Sequence, residues 1–438
     1  MILPAYRNII GQFLGVVCCL SPFLGILYMQ SSINATEGLG LLTNATSFST
    51  LIISIFLAPF IVSVAGTKPS LFLSSIIFTI YTLSNFYPHW FTLLPAAALT
   101  GLALGLLWVA MYSHATATAL KFHDALKETK ENCTVLLAST TGVSVQVSGM
   151  VGASVSSIVL LNLKTTVNYN DSFIENDTSS CGVYEEGHEV SDVLYYPLIG
   201  IYALLNIISL FIILVFVDNF KSESEFVTIK TQLYASLKSL ISCLFNVTVI
   251  LLFPMFTLHG LLLGYITGDF SKVFISDCIG VKWLGFAHAA YGLTGGIVTF
   301  MTGKALKCIS QPLVVFLALL LSTGMCMCLL YLERTPQILV IFLLTIGWAV
   351  GESMIMTLAP GIGGILLPEK KEQLFAFYRL GMAIGLVTSY TTAILMETCQ
   401  QIWLVIGIIL LTGICYIVLQ ISERLKKNKT SDNNPTVV

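Results

Sequence analysis

The sequence predicts an all-α integral membrane protein with twelve transmembrane helices in two six-helix pseudo-repeats. Three observations carry this. Of 438 residues, 56% are hydrophobic and only 10% charged, where a soluble domain carries about 25% charge. Apolar runs recur along the chain at close to the ~20 residues that a spanning helix needs. A polar stretch at 218–238 divides those runs evenly, six on each side.

The first run, 9–29, is longer than the core of a secretory signal and lacks a small-residue cleavage pattern after it, so it reads as a span. The second, 48–65, ends at Gly66-Thr67-Lys68, and the third covers 69–87. The fourth, 91–113, follows Trp90 and carries Gly101 and Gly105; the fifth, 138–161, carries Gly149 and Gly152; the sixth covers 197–217. Beyond the polar link, the seventh run is 239–263, with His259, and the eighth is 284–302, with His288. The ninth is 311–332. The tenth, 337–360, holds Gly347, Gly351 and Glu352; the eleventh, 374–395, holds Arg379, Gly381 and Gly385; the twelfth covers 401–421. Pro59, Pro95 and Pro254 fall inside runs, where neighbouring helices can satisfy the freed backbone. The expected organisation is a first bundle at 1–217, a cytoplasmic link at 218–238, a second bundle at 239–421 and a tail at 422–438.

Charge sets the orientation. An even number of spans places both termini on one side. The loops on that side hold sixteen Lys and Arg, the opposite loops four, and Arg379 is the last of the 21. Positive loops stay in the cytoplasm, so both termini are expected there. Trp90, Trp283 and Trp403 fall at the opposite, outer ends of spans, the interface that indole rings prefer. Glycosylation sequons with room for a sugar occur on the same outer side at Asn34, Asn170 and Asn176. The long outer loop from Lys164 to Tyr196 is acidic and reads as a solvated, glycosylated segment. In it, His188 beside Glu185 and Glu189 is too loosely spaced to imply a metal, and Cys181 can pair with either Cys278 or Cys399.

The two halves resemble each other. Paired glycines recur in the fourth and tenth runs (Gly101/Gly105, Gly347/Gly351) and in the fifth and eleventh (Gly149/Gly152, Gly381/Gly385). Those of the fourth and tenth runs are small-xxx-small patterns, which let helix backbones approach in lipid. AGTK after the second run is answered by TGKALK after the eighth. Parallel repeats of this kind are a transporter-type architecture.

Within the assigned runs, Glu352 and Arg379 are the formal charges well inside a span. Charge in hydrocarbon is costly and normally finds a partner in the bundle interior. At ~1.5 Å per residue the two lie about 12 Å and 8 Å from the shared end of their runs, so neighbouring helices would bring them together as an intramembrane ion pair. Such a pair can order two helices, act as a proton- or substrate-linked switch, or lock one conformation for a partner. His259 and His288 are candidate cavity residues, because imidazole titrates near neutral pH. No P-loop, nucleophile elbow, HExxH or paired catalytic carboxylates are present. Neither catalysis, a cofactor, a metal nor nucleic-acid binding is expected.

Several segments resemble the Unc-ninety-three-like family, the ion-channel-regulator branch of the major facilitator superfamily, and most of all its A-type homologues. They are Gln30-Ser31-Ser32-Ile33-Asn34 with Glu37-Gly38-Leu39-Gly40, Asn85-Phe86-Tyr87 with Trp90 to Pro95, and Leu106-Leu107-Trp108. Further on come Gln146-Val147-Ser148-Gly149, Gly268-Asp269-Phe270 and Phe375-Ala376-Phe377-Tyr378-Arg379-Leu380. The resemblance implies the two-half, twelve-helix major facilitator fold. It also implies regulation of another integral membrane protein: a potassium channel, or a receptor escorted through the secretory path. The acidic and arginine residues that gate ordinary facilitators after the second span are missing here, where only Gly66-Thr67-Lys68 stands. The alternative function is secondary transport of a small solute along Glu352, Arg379, His259 and His288. The plasma membrane is the expected location.

Overall fold

The computed structural model describes residues 2–124, 126, 129–164, 192–220, 245–306, 308–332, 336–367 and 371–432. Among them the chain forms twelve long helices. The first half contributes α1 (Ile2–Ile33), α2 (Leu39–Ala65), α3 (Thr67–Ser84), α4 (Trp90–Phe122), α5 (Lys130–Lys164) and α6 (Asp192–Phe216). The second contributes α7 (Val247–Thr267), α8 (Leu284–Ala305), α9 (Gln311–Tyr331), α10 (Ile338–Leu366), α11 (Lys371–Leu395) and α12 (Thr398–Asp432). Ten of these are long and apolar enough to cross a membrane, and the protein is an integral membrane protein. The two short of that mark are α3 and α11. They are the helices that give up apolar residues for Ser70, Ser74 and Ser75, and for Arg379, Ser389 and Thr392.

The helices outrun the apolar runs in the sequence. α2 begins at Leu39, nine residues before its run, because Thr43, Asn44 and Ser47 are polar yet buried. Thr43 Oγ1 donates to the Leu39 carbonyl and Asn44 Nδ2 to that of Leu27. α4 continues nine residues past its run. α7 starts later than expected, with Asn246 as its cap: the side-chain oxygen accepts from Thr248 N at 2.9 Å. After α7, Gly268 breaks the helix, and a π turn (Ser271–Ser276) leads through Asp277–Ile279 to Trp283. This stretch, expected as loop, buries Phe270, Phe274 and Ile275.

In the first half, α1 packs on α5 and α6, α2 on α4, and α3 on α4 and α6. Six helices later the same pairings recur: α7 on α11 and α12, α8 on α10, and α9 on α10 and α12. Across the halves, α2 packs on α11 and α5 on α8. The tightest crossings use glycine. A Cβ on Gly152 of α5 would strike the Ser21 carbonyl and the Gly25 backbone of α1, and one on Gly385 of α11 would strike the Thr257 carbonyl and the Gly260 backbone of α7. The same crossing thus joins the first and fifth helices of each half.

The halves touch closely toward their expected outer ends. Gly285 of α8 lies against the Ala153 carbonyl, Phe286 N donates to Ser157 Oγ at 3.0 Å, and Phe48 stacks on Tyr390. Toward the other end they diverge. Gln146, midway along α5, is exposed, and Trp108 and Tyr112 of α4 are only half-buried. Gly142 and Gly149, four and three residues from Gln146, face the hydroxyls of Tyr112 and Tyr28. That stripe of α5 therefore looks into the space between the halves.

The first half is also fastened at the end where its chain begins and leaves. Asp218, just past α6, forms an ion pair with Arg7 and accepts from Asn8 Nδ2 at 2.8 Å, while Asn8 Oδ1 accepts from Asp218 N at 2.7 Å. Thr67 N donates to the Phe220 carbonyl at 2.9 Å, and Lys68 Nζ to that of Leu214 at 2.7 Å.

Candidate functional site

The centre of the molecule is polar and closed. Glu352, on α10, is 4% exposed. Its Oε1 lies 2.8 Å from His259 Nε2 of α7, an ion-pair contact off the line of a well-aligned hydrogen bond. Ser353 Oγ donates to Oε2 at 3.3 Å. The other imidazole nitrogen, His259 Nδ1, is 3.0 Å from Tyr378 Oη of α11, with the two rings nearly parallel at 7°. Assigning the phenol as donor to Nδ1 puts the ring proton on Nε2, facing the carboxylate. Tyr378, His259 and Glu352 therefore form a contiguous row of polar groups across three helices.

Aromatic residues close the other sides. Tyr28 of α1 and Tyr291 of α8 lie within electrostatic reach of Glu352. His288 stacks face to face on Tyr28, centroids 4.2 Å apart, meets Tyr291 edge-on, and holds Ser271 Oγ with Nε2 at 2.7 Å. Tyr28 belongs to the first half and the others to the second, so this stack joins the halves at the centre.

The expected Glu352–Arg379 ion pair is not what the structure builds. Among the described residues, Glu352 pairs with His259, and the Arg379 guanidinium lies over Trp108 of α4, 4.2 Å from the ring centroid. The expectation assumed that consecutive helices are neighbours. In this bundle α11 packs chiefly on α7 and α2, and α10 on α8, α9 and α7; α10 and α11 barely meet. Helical pitch does the rest. Adjacent residues point about 100° apart, so with Tyr378 turned to His259 of α7, Arg379 turns to the first half. Its one hydrogen bond to protein is the weak contact of Nη1 with Met382 Sδ at 3.9 Å.

Of the other expected residues, the eight glycines lie at close helix approaches. Gly101 abuts the Ser47 carbonyl, Gly105 Ser54, Gly149 Tyr28, Gly347 Met325, Gly351 Ser322 and Gly381 Phe256; Gly152 and Gly385 are described above. Asn34, expected to carry a sugar, is 8% exposed and gives Nδ2 to Gln30 Oε1 at 2.6 Å. It sits immediately after α1, inside a network in which Gln30 Nε2 also reaches Tyr81 Oη and Asn85 Oδ1. Asn170, Asn176, Cys181 and His188 lie outside the described residues. Cys278 is disulfide-bonded and Cys399 is free. The Glu37-Gly38-Leu39-Gly40 segment is the turn between α1 and α2. Gly38 has φ +71°, and a Cβ on Gly40 would strike the Gln30 carbonyl, so each glycine answers a distinct backbone demand. No group of three potential metal ligands gathers among the described residues.

Sequence reasoning missed Trp108, Tyr28, Tyr291 and Ser271 as parts of the site. Trp108 and Tyr378 stand in segments that carried the family resemblance, which was the available signal.

No protein-family model matches the chain. The chain is 23% identical to protein unc-93 homolog A of Xenopus laevis, over 97% of this chain and 95% of that protein, and 22% identical to the Homo sapiens homolog A, over 95% and 93%. The chain is a relative of the unc-93 homolog A proteins. It is also 22% identical to the Caenorhabditis elegans "Putative potassium channel regulatory protein unc-93", over 90% of this chain and 57% of that one. In structure it is similar to a D-xylose–proton symporter, with TM-score 0.65 and 11% identity over 93% of this chain and 96% of the symporter. A POT family transporter in complex with 5-aminolevulinic acid matches with TM-score 0.65 and 12% identity over 94% and 95%. The fold is that of the major facilitators.

Proposed function

We propose that this unc-93 relative is a non-enzymatic regulatory or accessory subunit of another integral membrane protein, a potassium channel in the first instance. The observation that carries the reading is the match along nearly the whole of this chain to the unc-93 proteins, including the worm protein named for channel regulation, of which it spans 57%. In this reading the two halves are the units 1–217 and 239–421, both termini are cytoplasmic, and the protein works at the plasma membrane. The sugar is carried by Asn170 and Asn176. The Tyr28–His288 stack supports it, since it ties the first half to the second in one arrangement that a partner can recognise, while the buried His259–Glu352 pair fastens α7 to α10 within the second half.

The test is co-expression with candidate potassium channels, reading current and co-purification together. A change in channel current that disappears with the complex supports the reading; a chain that enriches no membrane protein and alters no current removes it. A second reading, proton-linked transport of a small solute, is favoured by the row Tyr378–His259–Glu352 and by the symporter-like fold. It requires pH-dependent uptake into liposomes that Glu352→Gln abolishes.

A further inference from the structure

We propose that Arg379, Trp108 and Tyr112 form a binding subsite for a small organic carboxylate in the space between the halves. The site rests on the geometry of these three residues and is independent of the partner named above. Arg379 comes from the second half, Trp108 and Tyr112 from the first, so a ligand held there touches both.

The argument begins with the unused valence of the guanidinium. An arginine carries five N–H donors in a planar fork. Among the described residues those donors meet only the Met382 sulfur, at 3.9 Å, and no carboxylate or carbonyl oxygen. The indole face of Trp108 satisfies one side of the plane, 4.2 Å from the ring centroid, and leaves the in-plane N–H edge free. Trp108 in turn stacks on Tyr112, one turn further along α4, with the rings 12° apart. The aromatic surface therefore continues beyond the guanidinium and offers an apolar shelf for whatever the fork holds. Arg379, Trp108 and Tyr112 are all half-buried, so part of each side chain remains accessible.

The ligand class follows from charge and shape. A single guanidinium fork matches a carboxylate with two parallel N–H···O bonds. The Glu352 carboxylate belongs to the helix set around the neighbouring Tyr378, through His259, and disfavours a dianion. The shelf adds affinity for a flat apolar substituent. Tyr378, next to Arg379 in sequence, is hydrogen-bonded to His259, so occupancy of the subsite is coupled to the His259–Glu352 pair through one residue.

The experiment uses the full-length protein, purified in detergent, and radiolabelled benzoate as the probe. The expected result is saturable binding that acetate displaces, that benzyl alcohol does not displace, and that inorganic phosphate displaces only weakly. Arg379→Gln lowers affinity by at least about tenfold, the size of a lost charge-assisted fork, and Arg379→Lys recovers part of it. Should Arg379→Gln not fold, the wild-type protein still decides the matter: benzoate should slow phenylglyoxal modification of Arg379, read by peptide mass spectrometry. Absence of saturable benzoate binding, binding that Arg379→Gln leaves intact, or modification of Arg379 that benzoate does not slow would each overturn the assignment.

Discussion

Replacing His259 by Phe leaves Glu352 buried beside an apolar ring. The structure gives the size of the effect. Glu352 loses the imidazole whose Nε2 lies 2.8 Å from its Oε1. Breaking a buried pair by removing one partner costs about 3–5 kcal/mol, because the other charge remains uncompensated. His259→Phe and Glu352→Leu alone should each destabilise the protein by that order. Together they should cost much less than their sum, with a coupling of at least about 1 kcal/mol. The parallel cycle of Glu352→Leu with Arg379→Met should be additive to within about 0.5 kcal/mol, since those residues share no contact. Reversible unfolding in mixed micelles, followed by far-UV circular dichroism across a denaturant series, measures all five variants and the wild type. A vanishing His259–Glu352 coupling, or a larger one for Glu352 with Arg379, would refute the arrangement described above.

Other outcomes follow from particular contacts. Gly385→Ala pushes a methyl into the Thr257 carbonyl and should cost about 1–3 kcal/mol, whereas Gly296→Ala, with open space around it, should be near neutral in the same unfolding series. Asn34→Gln should leave the mobility shift on deglycosylation unchanged while lowering thermal stability, since its amide belongs to the Gln30 network. Asp218→Ala loses a partly exposed ion pair with Arg7, so its stability change should stay within about 1 kcal/mol. An impermeant maleimide applied to intact cells should label Cys399, which is free and exposed, and should reach Cys278 only after reduction.

The fold was legible because its signals are local. Apolar length, loop charge and paired glycines each concern a few neighbouring residues, and they placed the helix ends to within about three turns. Where they failed, polar residues were buried in the bundle: Thr43, Asn44 and Ser47 hid the start of α2. The site was legible as a set of residues and illegible as a set of partners. Glu352, Arg379, His259 and His288 all stood out as titratable groups in apolar runs. Which of them touch depends on α7 lying between α10 and α11, a fact of the whole bundle that no local pattern records.

The grip of Arg7 and Asn8 on Asp218 brings the beginning of the first half to its end. A unit whose two chain ends hold each other is already closed as a ring, and does not depend on the peptide bond that leads away from it. Severing the polypeptide beyond Phe220 and supplying the pieces as separate chains would leave that ring intact. The two halves would then find each other chiefly through the α2–α11 and α5–α8 seams among the described residues.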